Sequence, residues 1–215
     1  MSEFERKLAQ LRADLNTQGA RVSDQLLHAV ESSFDGDTEA ATKVVQSDGV
    51  IDRVDVEIER ACIDLLRLGA NDEHGIRSVL TIVKVNNELE RIADCAVDIA
   101  QSAINSEQLI KQAPPTFRVM ANSVVGMGRD TNHALAEADT EMAVRVLSFD
   151  DTVCRFRKEI VLDVQHRTSG GKLNPLVAFE LLAVTRSLER IADHCTNICE
   201  QVIYLETGKI VRHSI

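Results

Sequence analysis

Leu89-Glu90-Arg91-Ile92-Ala93-Asp94 returns unchanged as Leu188-Glu189-Arg190-Ile191-Ala192-Asp193, 99 residues further along a chain of 215. Setting 82–104 against 181–203 gives nine identities in twenty-three positions. Self-similarity at so long a period means two copies of one structural unit, and it constrains the fold before any local propensity is consulted.

Around each copy the apolar residues follow a three-four spacing, the signature of a helix with one buried stripe. The first copy lies on Ile82, Val85, Leu89, Ile92, Ala96, Ile99 and Ala103. The second lies on Leu181, Val184, Leu188, Ile191, Cys195, Ile198 and Val202. Upstream of the first copy, Leu8, Leu11, Leu15, Val22, Leu26 and Ala29 mark one helix, ended at Asp35-Gly36-Asp37. Ile51, Val54, Ile58, Ala61, Leu65 and Leu68 mark another, capped by Asp37 or Thr38 and broken over 69–75. Pro114-Pro115 ends the first set. The pattern restarts with Phe117, Met120, Val124, Met127 and Leu135. It continues, after a turn near Asp139, with Val146, Phe149, Val153, Phe156 and Ile160, and Gly170-Gly171 and Pro175 close that helix. The sequence therefore predicts an all-α chain of six long antiparallel helices, arranged as two similar three-helix bundles over 1–112 and 113–215 and packed side by side.

Composition agrees and excludes several function classes. Aromatic residues make up 3% of the chain, there are three prolines and no tryptophan, and 27% of residues are charged. A net charge of -10 argues against nucleic acid or an anionic membrane surface as the main partner. No apolar run reaches the roughly twenty residues that span a bilayer, and Met1-Ser2-Glu3-Phe4-Glu5 lacks the features of a signal peptide, so a cytoplasmic protein without direct membrane insertion is expected. Five cysteines (Cys62, Cys95, Cys154, Cys195, Cys199) without CxxC spacing fit reduced, mostly buried thiols. There is no phosphate-binding glycine loop, nucleophile elbow or HExxH, and no enzymatic activity is expected.

The chemistry lies in the acids. With Leu89, Ile92, Ala96 and Ile99 facing the core, Glu90, Asp94 and Asp98 fall at four-residue steps on another face, where neighbouring carboxylates can share or flank cations. The second copy repeats Glu189 and Asp193, with Asn197 in the third place. Asp48 and Asp52 form a further pair one helix earlier and would approach Glu90 and Asp94 if the two helices pack antiparallel. About 102 residues on, the same places hold Asp150 and Cys154. Such acids on an outer helix face are commonly just solvated, but two copies in step weaken that reading. A ferritin-like di-iron site is disfavoured because no Glu-x-x-His occurs, and Asp163-x-x-His166 offers that spacing only with a shorter acid. His194, Cys195 and Cys199 offer a zinc-like set, except that Cys195 lies on the core stripe and His194 does not.

These residues, with His194, Asn197-Ile198-Cys199-Glu200 and the closing Val202-Ile203-Tyr204-Leu205-Glu206-Thr207-Gly208, make the chain resemble the PhoU family of phosphate-uptake regulators over essentially its whole length. The resemblance implies a pair of three-helix bundles whose acidic E/DxxxD motifs, in some members, hold multinuclear clusters of iron, or zinc or other divalent metal ions. Carried over, the metal residues are Asp48, Asp52, Glu90 and Asp94, with Asp98 beside them, and Asp150, Glu189 and Asp193. Cys154 departs from the pattern and leaves the second site weaker. The resemblance further implies a cytoplasmic, often dimeric negative regulator of phosphate uptake and of the phosphate-starvation response. It would act as an adaptor between the ATPase of the phosphate ABC transporter and a sensor histidine kinase. The alternative readings are a metal-storage or redox protein and a plain helical scaffold.

Overall fold

The computed structural model describes residues 2–69, 72–106 and 109–211. It consists of α1 (Glu3–Asp35), α2 (Thr38–Arg67), α3 (Glu73–Asn105), a short α4 (Leu109–Gln112), α5 (Pro115–Glu137), α6 (Thr140–Ser169) and α7 (Pro175–Thr207). Among the described residues there is no strand, and no helix is long and apolar enough to cross a membrane.

The helix ends follow local chemistry. Ser2 caps α1 in a reciprocal box with Glu5, and Asp37, Asp72, Asp139 and Asn174 each accept a backbone N–H at the start of α2, α3, α6 and α7. Pro115 and Pro175 occupy the first turns of α5 and α7, where a missing N–H costs nothing. Gly36 closes α1 in the left-handed conformation at φ 68°, and 102 residues later Ala138 does the same for α5 at φ 53°. The expected break over 69–75 includes residues 70 and 71, outside the described residues. Gly75 is already inside α3.

Helices α1 to α3 pack on one another, as do α5 to α7, and the two sets share one continuous core. All seven expected stripe residues of α3 and all seven of α7 are buried. Two expectations fail. Phe149 is 36% exposed, because Ala143, Val146, Val153, Ile160 and Val164 carry the inward face of α6 and Phe149 lies at its edge. Leu68 is 42% exposed because it lies past the last turn of α2. The bundles are also more than neighbours. Ala93, Cys95 and Ala100 on α3, and Ala192 and Cys199 on α7, lie outside the expected stripes and are all buried to 1% exposure or less. Cys95 follows Glu88 by two helical turns, on the side that meets α7, and Cys199 lies 3.7 Å from the Thr131 hydroxyl of α5. Arg77 lies over the Tyr204 ring while Asp98 reaches Arg190, so α3 and α7 run antiparallel. Across the same junction α1 approaches α5 so closely that a Cβ at Gly19 would overlap the Asn132 side-chain carbonyl.

Candidate metal centre

Antiparallel packing of α2 on α3 carries the acids together. The Asn86 amide of α3 donates to the Asp55 backbone carbonyl at 3.0 Å and to its carboxylate at 2.6 Å, pinning the two helices beside the acidic face. Gln25 of α1 donates to Asp48 at 3.3 Å. Burial pushes the Asp48 carboxyl above its ordinary range; the Gln25 hydrogen bond opposes this, while the charges of Asp52 and Asp94 add to it. Glu90 is likewise pushed up, first by burial and then by Asp94, with Asp55 and Asp52 contributing and Arg91 pulling the other way. Asp55 is raised by burial, Glu59 and Asp52. Asp48, Asp52, Asp55, Glu90 and Asp94 thus form one self-repelling group. Arg91 lies 3.4 Å from Glu90 and 3.9 Å from Asp94. Asp98 stands apart, its side chain 61% exposed and 4.0 Å from Arg190 of α7.

The second face is built by α6 and α7. Asp150 is pushed up by burial and by Asp151, and its Oδ1 is buried without a hydrogen-bond partner among the described residues. Asp193 is raised by burial, Asp150 and Glu189 against the pull of His194. Burial, Asp150, Glu189 and Asp193 all raise the Cys154 thiol against Lys158, so it stays protonated at neutral pH. Glu189 is engaged by Arg157, Nε to Oε2, at 2.8 Å.

The all-oxygen donor set of the first face fits a hard divalent ion, and the mutual repulsion of its acids shows where added positive charge is favoured. As the side chains stand, no three His, Cys, Asp or Glu among the described residues converge closely enough to grip one ion. Rotation of the partly exposed carboxylates is required. His194, Cys195 and Cys199 are not brought together. Both cysteines are buried, with thiols pushed by burial up to about 12, and His194 turns away to Glu88 of α3. There Glu88 Oε2 lies 2.7 Å from His194 Nδ1 and accepts from Asn197 Nδ2 at 3.0 Å, tying the two halves together.

Three of these residues lay outside the sequence reading. Asp55 continues the helical face of Asp48 and Asp52, so spacing alone could have found it. Arg157 falls on Asp55 at the same 102-residue offset that pairs Asp150 with Asp48. Glu88 carries no sequence signal, because its partners lie on a helix of the other repeat.

Comparison with known proteins places this arrangement. The sequence profile of the PhoU domain matches twice, over 15–103 and 117–202. The chain is 34% identical over 208 residues to the phosphate-specific transport system accessory protein PhoU homolog 1 of Thermotoga maritima, covering 96% of this chain and 90% of that one. It is 31% identical over 215 residues to the phosphate-specific transport system accessory protein PhoU of Serratia marcescens, covering 98% and 87%. The crystal structure of PhoU from Pseudomonas aeruginosa superposes with a TM-score of 0.89 at 28% identity, covering 96% of this chain and all of that one. With both repeats matched, on an all-helical scaffold of the same shape, the chain belongs to the PhoU family.

Proposed function

We propose that this chain is a negative regulator of phosphate uptake and of the phosphate-starvation response. As a member of a family of accessory proteins it is not an enzyme; it acts by docking. In this reading it works in the cytoplasm as a homodimer, linking the ATPase subunit of a phosphate ABC transporter to a two-component sensor kinase. The observation that carries the reading is the match of both repeats, end to end, to proteins named as accessories of phosphate-specific transport.

The acidic faces supply the recognition chemistry. Asp48, Asp52, Glu90 and Asp94, with Asp55 beside them, would hold a divalent ion such as iron or zinc. The ion would neutralise their repulsion and brace α2 against α3. The second set, Asp150, Glu189 and Asp193, offers fewer oxygens, and Asp98 stands at the far end of the first, 4.0 Å from Arg190 of α7. The test is an alkaline-phosphatase reporter at high phosphate in a bacterial host lacking its own regulator. The wild-type chain is expected to silence the reporter and the Glu90→Ala/Glu189→Ala variant to leave it active. A chain that is well expressed, correctly folded and without effect on the reporter or on phosphate uptake refutes the reading.

A further inference from the structure

The two acidic faces are built on the same register and are chemically unlike. Helices α2 and α6 start 102 residues apart, at Thr38 and Thr140, behind equivalent caps at Asp37 and Asp139. At that offset Asp48 corresponds to Asp150, Asp52 to Cys154 and Asp55 to Arg157. The change from Asp52 to a neutral thiol and from Asp55 to a guanidinium makes the second face three charge units more positive than the first. Arg157 is also engaged. Its Nε forms a close ion pair with Glu189 at 2.8 Å, whereas Arg91 approaches Glu90 and Asp94 only to 3.4 and 3.9 Å. Arg190, the counterpart of Arg91, is turned across the junction to Asp98. The second face therefore holds a cation of its own, and that cation takes up a carboxylate that a metal would need.

We propose that Arg157 is a built-in counter-cation that fills the acidic face of the second repeat, where the first repeat leaves its face open to a divalent metal ion, so that the chain binds such ions on one face only. This rests on the metal-binding reading above and adds to it the residue that makes the two halves unequal. A metal ion approaching Asp150 and Asp193 meets the Arg157 guanidinium, a thiol and one carboxylate already paired. On the first face it meets five carboxylates and, in Arg91, a guanidinium held less closely.

The test counts bound Mn2+ on the full chain, purified without a metal-affinity column and stripped with EDTA, by the electron paramagnetic resonance signal of the free ion. Helix content is followed by circular dichroism. Asp52→Asn/Glu90→Gln is expected to weaken binding at least about tenfold, since two ligands are lost, and Asp150→Asn/Glu189→Gln to change it less than about twofold. Cys154→Asp/Arg157→Asp, which copies the first face onto the second, adds a second class of bound Mn2+. Should that variant fold poorly, Arg157→Gln removes the charge alone and is expected to raise binding at the second face. Equal losses from the two carboxylate doubles, or an unchanged count in the folded Arg157 variants, overturn the assignment to Arg157 while the metal reading stands. Absence of Mn2+ from the wild type and every variant overturns the metal reading and this inference with it.

Discussion

Glu90→Gln should make the metal-free protein more stable. In the folded chain Glu90 faces the charges of Asp94, Asp55 and Asp52, with Arg91 at 3.4 Å as the opposing cation. A like-charged pair one helical turn apart costs about 0.2–0.5 kcal/mol, and two further carboxylates across the helix junction add repulsion of the same order. The Glu90–Arg91 contact, lost in the variant, is worth about 0.2–1 kcal/mol on so solvated a face. These two contributions nearly cancel, and burial of the carboxylate, the first cause of its raised pKa, tips the balance to glutamine by up to about 0.5 kcal/mol, or about 1–2 °C in Tm for a chain of this size. The pH dependence has a definite sign. Because folding raises the Glu90 pKa, its contribution is most favourable when protonated and is lost as pH rises through the folded value. The advantage of glutamine is therefore present at pH 7 and vanishes as pH falls through the carboxylate range. Thermal melts in EDTA at low salt, at pH 7 and pH 4, measure it. With Mn2+ at about a hundred times its dissociation constant the order reverses, since the wild type gains about 2.7 kcal/mol that the variant forfeits in large part. A lower Tm for Glu90→Gln in EDTA at pH 7 would refute the reasoning, by showing that the Arg91 pair outweighs the repulsion.

The remaining predictions concern the junctions. Glu88→Ala strands the half-buried His194 ring and the Asn197 amide, and should cost about 2 kcal/mol, or about 4–8 °C in Tm. Burial alone would raise the Glu88 pKa, but hydrogen bonds from His194 and Asn197 outweigh it and hold the carboxyl below its ordinary range. The deficit is thus full at neutral pH and shrinks in acid denaturation profiles as pH falls through that lowered value. Gly19→Leu forces α1 away from Asn132 of α5 and should cost about 1–3 kcal/mol after the gain in helix propensity, read from urea unfolding; a neutral result would mean that the close approach is not required. Ala138→Gly relieves a left-handed alanine worth about 1–2 kcal/mol, less about 0.4–1 for the freer unfolded chain, and should raise stability by about 0.5–1 kcal/mol, while Gly36→Ala at the equivalent turn should lower it.

What the sequence made legible follows from how burial writes itself into spacing. The stripes of α3 and α7 were readable because large aliphatic residues recur there every three or four positions, and only a helix with one buried side needs that. The buried flanks on either side of those stripes are not readable. They hold Ala93, Cys95 and Ala100 on α3 and Ala192 and Cys199 on α7, small residues that suit a close helix contact and a solvated surface alike. For the same reason the two bundles were expected as neighbours, and their common core came as a finding. Phe149 misled because a phenylalanine three residues from Val146 looks like core, whereas the half-buried residue beside it is Asp150. The four-residue α4 is too short to show a period at all. At the candidate site, the acids on one helix were visible through their four-residue steps. The Glu88–His194 link, made across 106 residues, has no local pattern to betray it.

The repeated hexapeptide itself separates packing from chemistry. Leu89, Ile92 and Ala93, and likewise Leu188, Ile191 and Ala192, are all 4% exposed or less, so filling the core accounts for their presence in both halves. Glu90 and Asp94, and Glu189 and Asp193, are not required by packing, and Glu90 and Asp193 sit where burial and like charge work against their ionisation. Residues that fill no space and repel one another need a cause outside the folded chain, and a bound cation or a basic partner surface supplies one. The same reasoning explains the second repeat. Once Arg157 provides the positive charge from within, the pressure for a full set of acids is gone, and a thiol in place of Asp52 carries no electrostatic penalty there.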